Sequence, residues 1–426
     1  MTLNVPEYYR EHLIPHDELG MRMRRFQEGL REGCVDGALI THKSGLYYLA
    51  GTVQPVQLYV PAEGEPLLLV RRNEGRVQLE SPWRRVSLRS LRKLADTLRQ
   101  EAALAAGAKL GLELDVMPVL TFRRYQKALP DVGWHDVGRT LRSQRMIKSA
   151  WEIGRLRAIL PLARDMLAAI PTLLEAGISE VAFAGRMEGF ARARGHQGRS
   201  WVRGYNMDMY WGHIIAGPNG SVGSFFDSPN GGWGLNPHKP DGPGELIIEP
   251  GMPVLVDWGA LAGGYVLDHT RTAVIGELPS ELQDAYEATV AIQNGVIAEV
   301  RPGALGSDLY ALALEIAARE GISDGFGGRG DNQARFVGHG IGIEVNELPL
   351  FAAGWKKPLQ ANMIFALEPK YVHPTLGIVG VENSWLVTED GIERLTAEGD
   401  ELISVTQPRT HPQPLSRGES KPKLPS

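Results

Sequence analysis

Two hydrophobic periodicities alternate along the first third of the chain. From about Leu19 the stretch GMRMRRFQEGLREGCVDG keeps helical spacing and ends on glycines, and GALIT, LYYLAG and PLLLV follow as short apolar runs of strand length. SLRSLRKLADTLRQEAALAAG returns to helical spacing, KLGLELD reads as the next strand, and a further helical segment runs to about Leu129. Such alternation predicts an α/β domain with a largely covered sheet over residues 1–148. No phosphate-loop glycine pattern accompanies it, so nothing suggests a nucleotide.

After Arg145 the texture changes. Ser149 and Glu152 form a capping box, and Ile153, Leu156, Ile159, Leu160, Ala163, Met166, Leu167 and Ile170 then keep one helical face, predicting one long helix. Ser179 can cap a second helix that carries Val181, Phe183, Met187 and Phe190 and stops at Gly195. The order returns with a helix opened by Ser280 and Gln283 and another from Ser307 to Gly321. Ser179 and Ser307 are 128 residues apart, Gly195 and Gly321 126, which predicts an internal duplication of helix, turn, helix and strands over 149–405. Two such halves facing one another would build one curved sheet with helices outside and a site on the axis between them.

Four acids interrupt apolar runs in that region: Asp257 in VLVDWG, Asp268 in GYVLDHTRT, Glu368 in MIFALEPK and Glu382 in IVGVENSWLV. Each reads as a carboxylate on a strand buried within a sheet, and His339 in FVGHGIGIEVNELP has comparable surroundings. Singly, such acids are more often hydrogen-bonded structural residues; together and in order they carry a signal. Asp257 and Asp268 are eleven residues apart across the glycine-rich ALAGG, which suits two adjacent strands with both acids at one end. Two carboxylates about 4 Å apart repel by roughly 4 kcal/mol at an effective dielectric of 20. With few basic residues in these runs, two divalent cations are the most economical partners for the converging set. Because oxygen ligands dominate, manganese is expected, with cobalt, iron or zinc as substitutes. Arg271 in DHTRT reads as a partner that orients the carboxylates.

Composition narrows the partners. A formal net charge of −5 gives no electrostatic reason to expect nucleic acid or an anionic membrane. Cys34 is the only cysteine, which excludes an intrachain disulfide and a cysteine-built zinc site and fits a reducing cytosol. The N-terminus has no apolar signal region and no run of 18 or more apolar residues occurs, so a cytoplasmic protein that neither spans nor binds a membrane is expected. Residues 406–426 are rich in proline, serine and basic residues and are expected to form a disordered tail.

The motifs DHTRT, GHGIG, LEP and VEN, in this order, resemble those of the pita-bread metallopeptidases, the family of methionine aminopeptidase, aminopeptidase P and prolidase that also contains the metal-free creatinases. The match spans roughly Ser149 to Val405, and the preceding segment, with YYLAG and RMIKSAWEI, resembles the creatinase-type N-terminal domain. The resemblance implies an α/β N-terminal domain followed by an α+β pita-bread domain with an internal pseudo-twofold repeat. It implies that Asp257 chelates one metal ion, His339 and Glu368 the other, and that Asp268 and Glu382 bridge both. Glu368 would also accept a proton. An N-terminal domain of this type favours a prolidase or aminopeptidase P activity, the cleavage of short peptides at Xaa-Pro bonds, in a homodimer. The alternatives are carbon–nitrogen hydrolysis or elimination on a non-peptide substrate in the same pocket, or a non-catalytic binding protein.

Two positions depart from the family pattern. Where a second histidine usually follows the ligand histidine by seven residues, this chain has Asn346, which can donate a hydrogen bond to a developing oxyanion but cannot shuttle a proton. For the histidine usually found shortly before the first ligand aspartate, the Pro237–His238 pair is the candidate, so His238 and Asn346 join Glu368 as candidate catalytic residues. Between Trp201 and Trp233 lie Tyr205, Tyr210, Trp211, Phe225 and Phe226, and Trp211 and Phe226 are candidate walls of a substrate pocket. His213 precedes His339 by the repeat offset of 126 and is its candidate counterpart in the other half.

Overall fold

A computed structural model describes residues 4–406 apart from 208, 210, 211 and 227, so residues 407–426 of the expected tail lie outside the described residues. The first part runs α1 (Glu7–Arg10), α2 (His16–Glu32), β1 (Gly37–Ile40), α3 (Lys43–Ala50), β2 (Val56–Pro61), β3 (Leu67–Val70), α4 (Glu74–Glu80), β4 (Arg84–Ser87), α5 (Leu94–Ala102), β5 (Lys109–Leu112), α6 (Val119–Ala128), β6 (Gly133–Asp136) and α7 (Gly138–Met146). Its six strands form one sheet in the order β4-β3-β2-β1-β5-β6. β2 runs antiparallel to both neighbours and the other pairs are parallel. GALI and LLLV are buried at every position, as continuous apolar runs in a sheet covered on both faces should be. LYYLAG corrects the strand expectation: it lies in helix α3, which Gly51 closes at φ 71°. A short apolar run has no period to separate strand from helix, and here the left-handed glycine decides. The strand that follows is β2, in VQLYVP.

The second part runs α8 (Ala150–Arg157), α9 (Leu160–Leu173), α10 (Glu180–Ala193), β7 (Gly212–Ala216), β8 (Pro253–Ala262), β9 (Tyr265–Ile275), α11 (Ser280–Glu299) and α12 (Gly306–Arg319). Its strands continue with β10 (Phe336–Gly340), β11 (Glu347–Ala352), β12 (Ile364–Leu367), β13 (Lys370–His373), β14 (Gly377–Gly380), β15 (Asn383–Val387), β16 (Ile392–Arg394) and β17 (Ile403–Val405). The capping box forms: Ser149 Oγ accepts from Glu152 N at 3.1 Å and Ser149 N donates to Glu152 Oε2 at 3.0 Å. The expected long helix is instead two, α8 and α9, because Pro161 sits in the first turn of α9. A proline has no N–H for the preceding turn and its ring crowds that turn's carbonyl. Ser179 caps α10, whereas Ser307 lies within the first turn of α12.

The helix, helix, strands order occurs twice. In place of one continuous sheet there are two, β17-β9-β8-β7 and β11-β10-β12-β15-β16, with β13-β14 a separate hairpin. The two sheets meet at Thr270 and Glu382, whose main chains exchange hydrogen bonds at 3.2 and 3.1 Å.

A buried ionic network joins the first part to the second. Arg203 holds Asp115 at 2.6 Å and Glu113 at 3.4 Å, and Ser44 Oγ donates to Glu344 Oε1 at 2.6 Å. Arg145 pairs with Glu344 at 2.9 Å and also with Glu347, whose other oxygen takes Lys148 Nζ at 2.8 Å. Burial alone would raise the Glu347 carboxyl, but Arg145 and Lys148 outweigh it and bring it to about 2. A carboxyl depressed in this way contributes stability above its unfolded pKa of about 4.3 and loses it as pH falls through the folded value. Glu347→Gln should therefore be destabilised by about 3–5 kcal/mol at neutral pH. Its deficit against the unsubstituted protein should shrink as pH falls from about 4.3 towards 2. Urea unfolding across that range measures both.

Candidate metal centre

The hairpin β8–β9 brings the two aspartates together by register. Asp257 faces Thr270 and Gly259 faces Asp268, so the two acids stand one diagonal step apart. Side chains at i and i+2 share a face and cross-strand partners do too, so both carboxylates project from the same side. They lie midway along the strands, not at one end as the spacing suggested, because the strands extend on both sides of them. His339 enters from β10, between Leu350 of β11 and Ala366 of β12. Glu368 follows β12 directly, and Glu382 stands between β14 and β15, at the seam where the two sheets exchange main-chain bonds.

All five side chains are buried. They form two overlapping groups, Asp268 with His339 and Glu382, and Asp257 with Glu368 and Glu382, in each of which the donor atoms lie within 4.8 Å of one another. His339 Nδ1 is 3.1 Å from the Gly340 carbonyl, which can only accept, so Nδ1 carries a proton and Nε2 is the ring nitrogen that faces the acids. Nε2 is 3.5 Å from Glu368 Oε1 and 4.0 Å from Glu382 Oε1. Thr270 Oγ1 donates to Glu382 Oε2 at 2.8 Å, and Asn230 Nδ2 donates to Asp257 Oδ2.

A sixth side chain, missed by the sequence reading, stands among them. Lys370 Nζ donates to Asp257 Oδ2 and Glu368 Oε2 at 2.7 Å each and to Glu382 Oε2 at 3.1 Å. The signal was in the quoted run ALEPKY: a lysine two residues after a buried acid, across a proline, falls on the same side of an extended chain. Its charge divides the centre. Burial raises the Asp257 carboxyl, but Lys370 and His213 outweigh it and hold it below the ordinary range. Burial, with Asp257 beside it, pushes Asp268 up to about 7, and burial holds Glu382 well above its ordinary value against the pull of Lys370. One ammonium does not neutralise the cluster, and the deficit falls on the group with His339. The donor set Asp268, His339 and Glu382, which Lys370 touches only at Glu382 Oε2, fits a divalent ion.

The remaining candidates stand apart. His238 is exposed in the turn Asn236–Lys239, where its main-chain N–H donates to Asn236 Oδ1 at 2.9 Å. It shares the wall of a cavity of about 830 Å³ with His213, Phe225, Phe226 and Trp258. The histidine beside the first aspartate is His213, the cross-strand partner of Asp257 on β7, and its Nε2 is 3.3 Å from Asp241. Phe226 packs edge-on against His213 with ring centroids 5.9 Å apart. Trp211 lies outside the described residues. Arg271 does not touch the cluster's carboxylates; it binds the Glu382 carbonyl at 3.0 Å, Asn383 Oδ1 at 3.0 Å and Asp400 at 3.2 Å, fixing the main chain that carries Glu382. Asn346 is tied at both ends of its amide to the main chain of Arg203, at 2.7 Å each. One amide hydrogen is left, and a donor role at a scissile carbonyl finds no support in that arrangement.

A family model described as metallopeptidase family M24 matches residues 154–389, and one for the creatinase/prolidase N-terminal domain matches residues 22–147. The chain belongs to metallopeptidase family M24. It is 27% identical over 390 residues to an uncharacterized peptidase of Bacillus subtilis (strain 168), YqhT, covering 90% of this chain and 99% of that protein. It is 25% identical over 388 residues to an Xaa-Pro dipeptidase of Pyrococcus horikoshii, covering 91% and 100%. An Xaa-Pro dipeptidase structure from Bacillus anthracis superposes with a TM-score of 0.78 at 23% identity, over 91% of this chain and all (100%) of that one, and shares the fold. The creatinase-type N-terminal domain and the pita-bread catalytic domain are thus both present, and the M24 chain is a metallopeptidase that uses divalent metal. No helix among the described residues is long and apolar enough to cross a membrane.

If the Asn346 amide secures the 201–203 segment and does nothing at the carbonyl, Asn346→Ala should lower stability by about 1–2 kcal/mol. Bound metal should be unchanged. Chemical denaturation and elemental analysis of the same preparation check both.

Proposed function

We propose that this M24 peptidase cleaves short peptides at Xaa-Pro bonds, using a divalent ion, manganese by preference, held by Asp268, His339 and Glu382. The observation that carries the reading is the set of five buried ligand-type side chains converging at the seam between the two sheets. Its relatives include an Xaa-Pro dipeptidase similar over nearly the whole chain. A bound ion polarises a carbonyl and lowers the pKa of a water. The chain does the rest. The Gly340 carbonyl fixes the His339 tautomer and Thr270 fixes one oxygen of Glu382. Glu368 has one oxygen anchored on Lys370, leaving Oε1, on the His339 side, as the proton acceptor. The cavity lined by Phe225, Phe226 and Trp258 borders the strand of Asp257 and offers aromatic surface to a proline ring. The second ion expected at Asp257 and Glu368 meets Lys370 there.

We assign the enzyme to the cytosol and to a homodimer, on the single cysteine, which leaves no disulfide within the chain, and on the resemblance to prolidases. The alternative of a non-peptide substrate draws on Asn346, which stands where the family has a histidine and is bound to the Arg203 main chain.

Metal-loaded protein should hydrolyse Xaa-Pro dipeptides or longer Xaa-Pro peptides in preference to proline-free controls, and chelation should abolish the activity. Asp268→Ala should lower metal affinity beyond the roughly 10–100-fold typical of losing an outer partner. Equal turnover on the proline-free controls would move the assignment to another substrate class. Light scattering at micromolar protein should give twice the monomer mass.

A further inference from the structure

The resemblance implies two metal ions, yet one half of the centre already contains a cation. An ammonium has three N–H donors, and those of Lys370 meet three acceptors, Asp257 Oδ2 at 2.7 Å, Glu368 Oε2 at 2.7 Å and Glu382 Oε2 at 3.1 Å. These are the three carboxylates of the second ligand group. We propose that the Lys370 ammonium takes the place of one of the two ions, so that the centre binds a single divalent ion, at Asp268, His339 and Glu382.

Three observations carry this. A small dication requires oxygens at about 2.1 Å, on the spot where Nζ now sits. An ammonium at that point leaves no room for a second cation and repels one.

The lysine is also built in. Its residue exposure is 0%, so the whole side chain, head included, is enclosed by protein. Its stem lies across Gly380, its register partner on β14, where an added Cβ would fall 2.6 Å from Lys370 Cγ and 2.9 Å from its Cα. Only a glycine at 380 leaves the stem this course. The Lys370 carbonyl in turn accepts from Gly327 N at 2.9 Å, which pins the main chain.

Finally, the other group meets Lys370 only through Glu382 Oε2. No lysine or arginine contacts Asp268 or His339 among the described residues, and His339 Nε2 faces the remaining Glu382 oxygen, Oε1, at 4.0 Å, with Glu368 Oε1 at 3.5 Å. Lys370 is on this account a positioning residue, holding Asp257, Glu368 and Glu382 without metal.

The inference rests on the reading of the cluster as a metal centre, and the test separates the two. Full-length protein is stripped, reconstituted with Mn²⁺, freed of excess and measured by elemental analysis and low-temperature electron paramagnetic resonance. The expected result is about one Mn²⁺ per chain with the spectrum of an isolated ion. Lys370→Met should admit a second ion, at least about tenfold tighter than any second binding to the unsubstituted protein, with exchange coupling between the two. Two ions per chain with a coupled spectrum in the unsubstituted protein overturn the inference and leave the metal-centre reading standing. No stoichiometric ion overturns both. Should Lys370→Met not fold, Lys370→Gln replaces it, and the stoichiometry and spectrum of the unsubstituted protein still decide.

Discussion

Four carboxylates drawn out of water at one seam set the terms for the catalytic half of this molecule. Each is delivered by a strand or strand end whose neighbouring residues are buried, so the chain cannot turn any of them outward without exposing the core. The repulsion among them is met locally. Asn230 and Thr270 donate to individual oxygens, Lys370 donates to three acids at once, and Asp268 and Glu382 are left needing further positive charge. Charge balance, more than packing, divides the centre into one half closed by a residue and one half open to a metal ion.

The same balancing recurs where the N-terminal part meets the catalytic part. Arg145, Lys148 and Arg203 face Glu113, Asp115, Glu344 and Glu347 across that contact. Glu344 and Glu347 lie just after the GHGIG segment that carries His339, so the network that docks the N-terminal part also fixes one strand of the site. A buried pair of this kind is costly to break from one side only.

How much of this was legible in the sequence follows from what each signal measures. The acids showed because each interrupts an apolar run, and the aspartate spacing gave the two adjacent strands joined across ALAGG. It misplaced them along the hairpin, since spacing fixes parity and not strand length. LYYLAG was misread because a run so short has no period, and the proline in α9 was passed over because the apolar face continues across it. His238 was chosen for its position beside Pro237, while the histidine that lies against Asp257 is His213, which only strand register reveals. Lys370 escaped because the search for a cationic partner counted charges run by run, and a lysine in an apolar strand reads as an edge residue until its neighbours in space are known.

Asn346 and Lys370 each fix a polar group by hydrogen bonding. At 346 the amide closes a pair of hydrogen bonds with the Arg203 main chain, and the Arg203 side chain is locked on Asp115 and Glu113 of the N-terminal part. The Asn346 amide is thereby tied to the contact between the two parts. What remains beside the open half of the centre is Glu368, and Lys370 acts directly on it by anchoring one of its oxygens. An ammonium hydrogen-bonded to one carboxylate oxygen fixes where the group points, so the oxygen left over, Oε1, is held on the His339 side, 3.5 Å from Nε2.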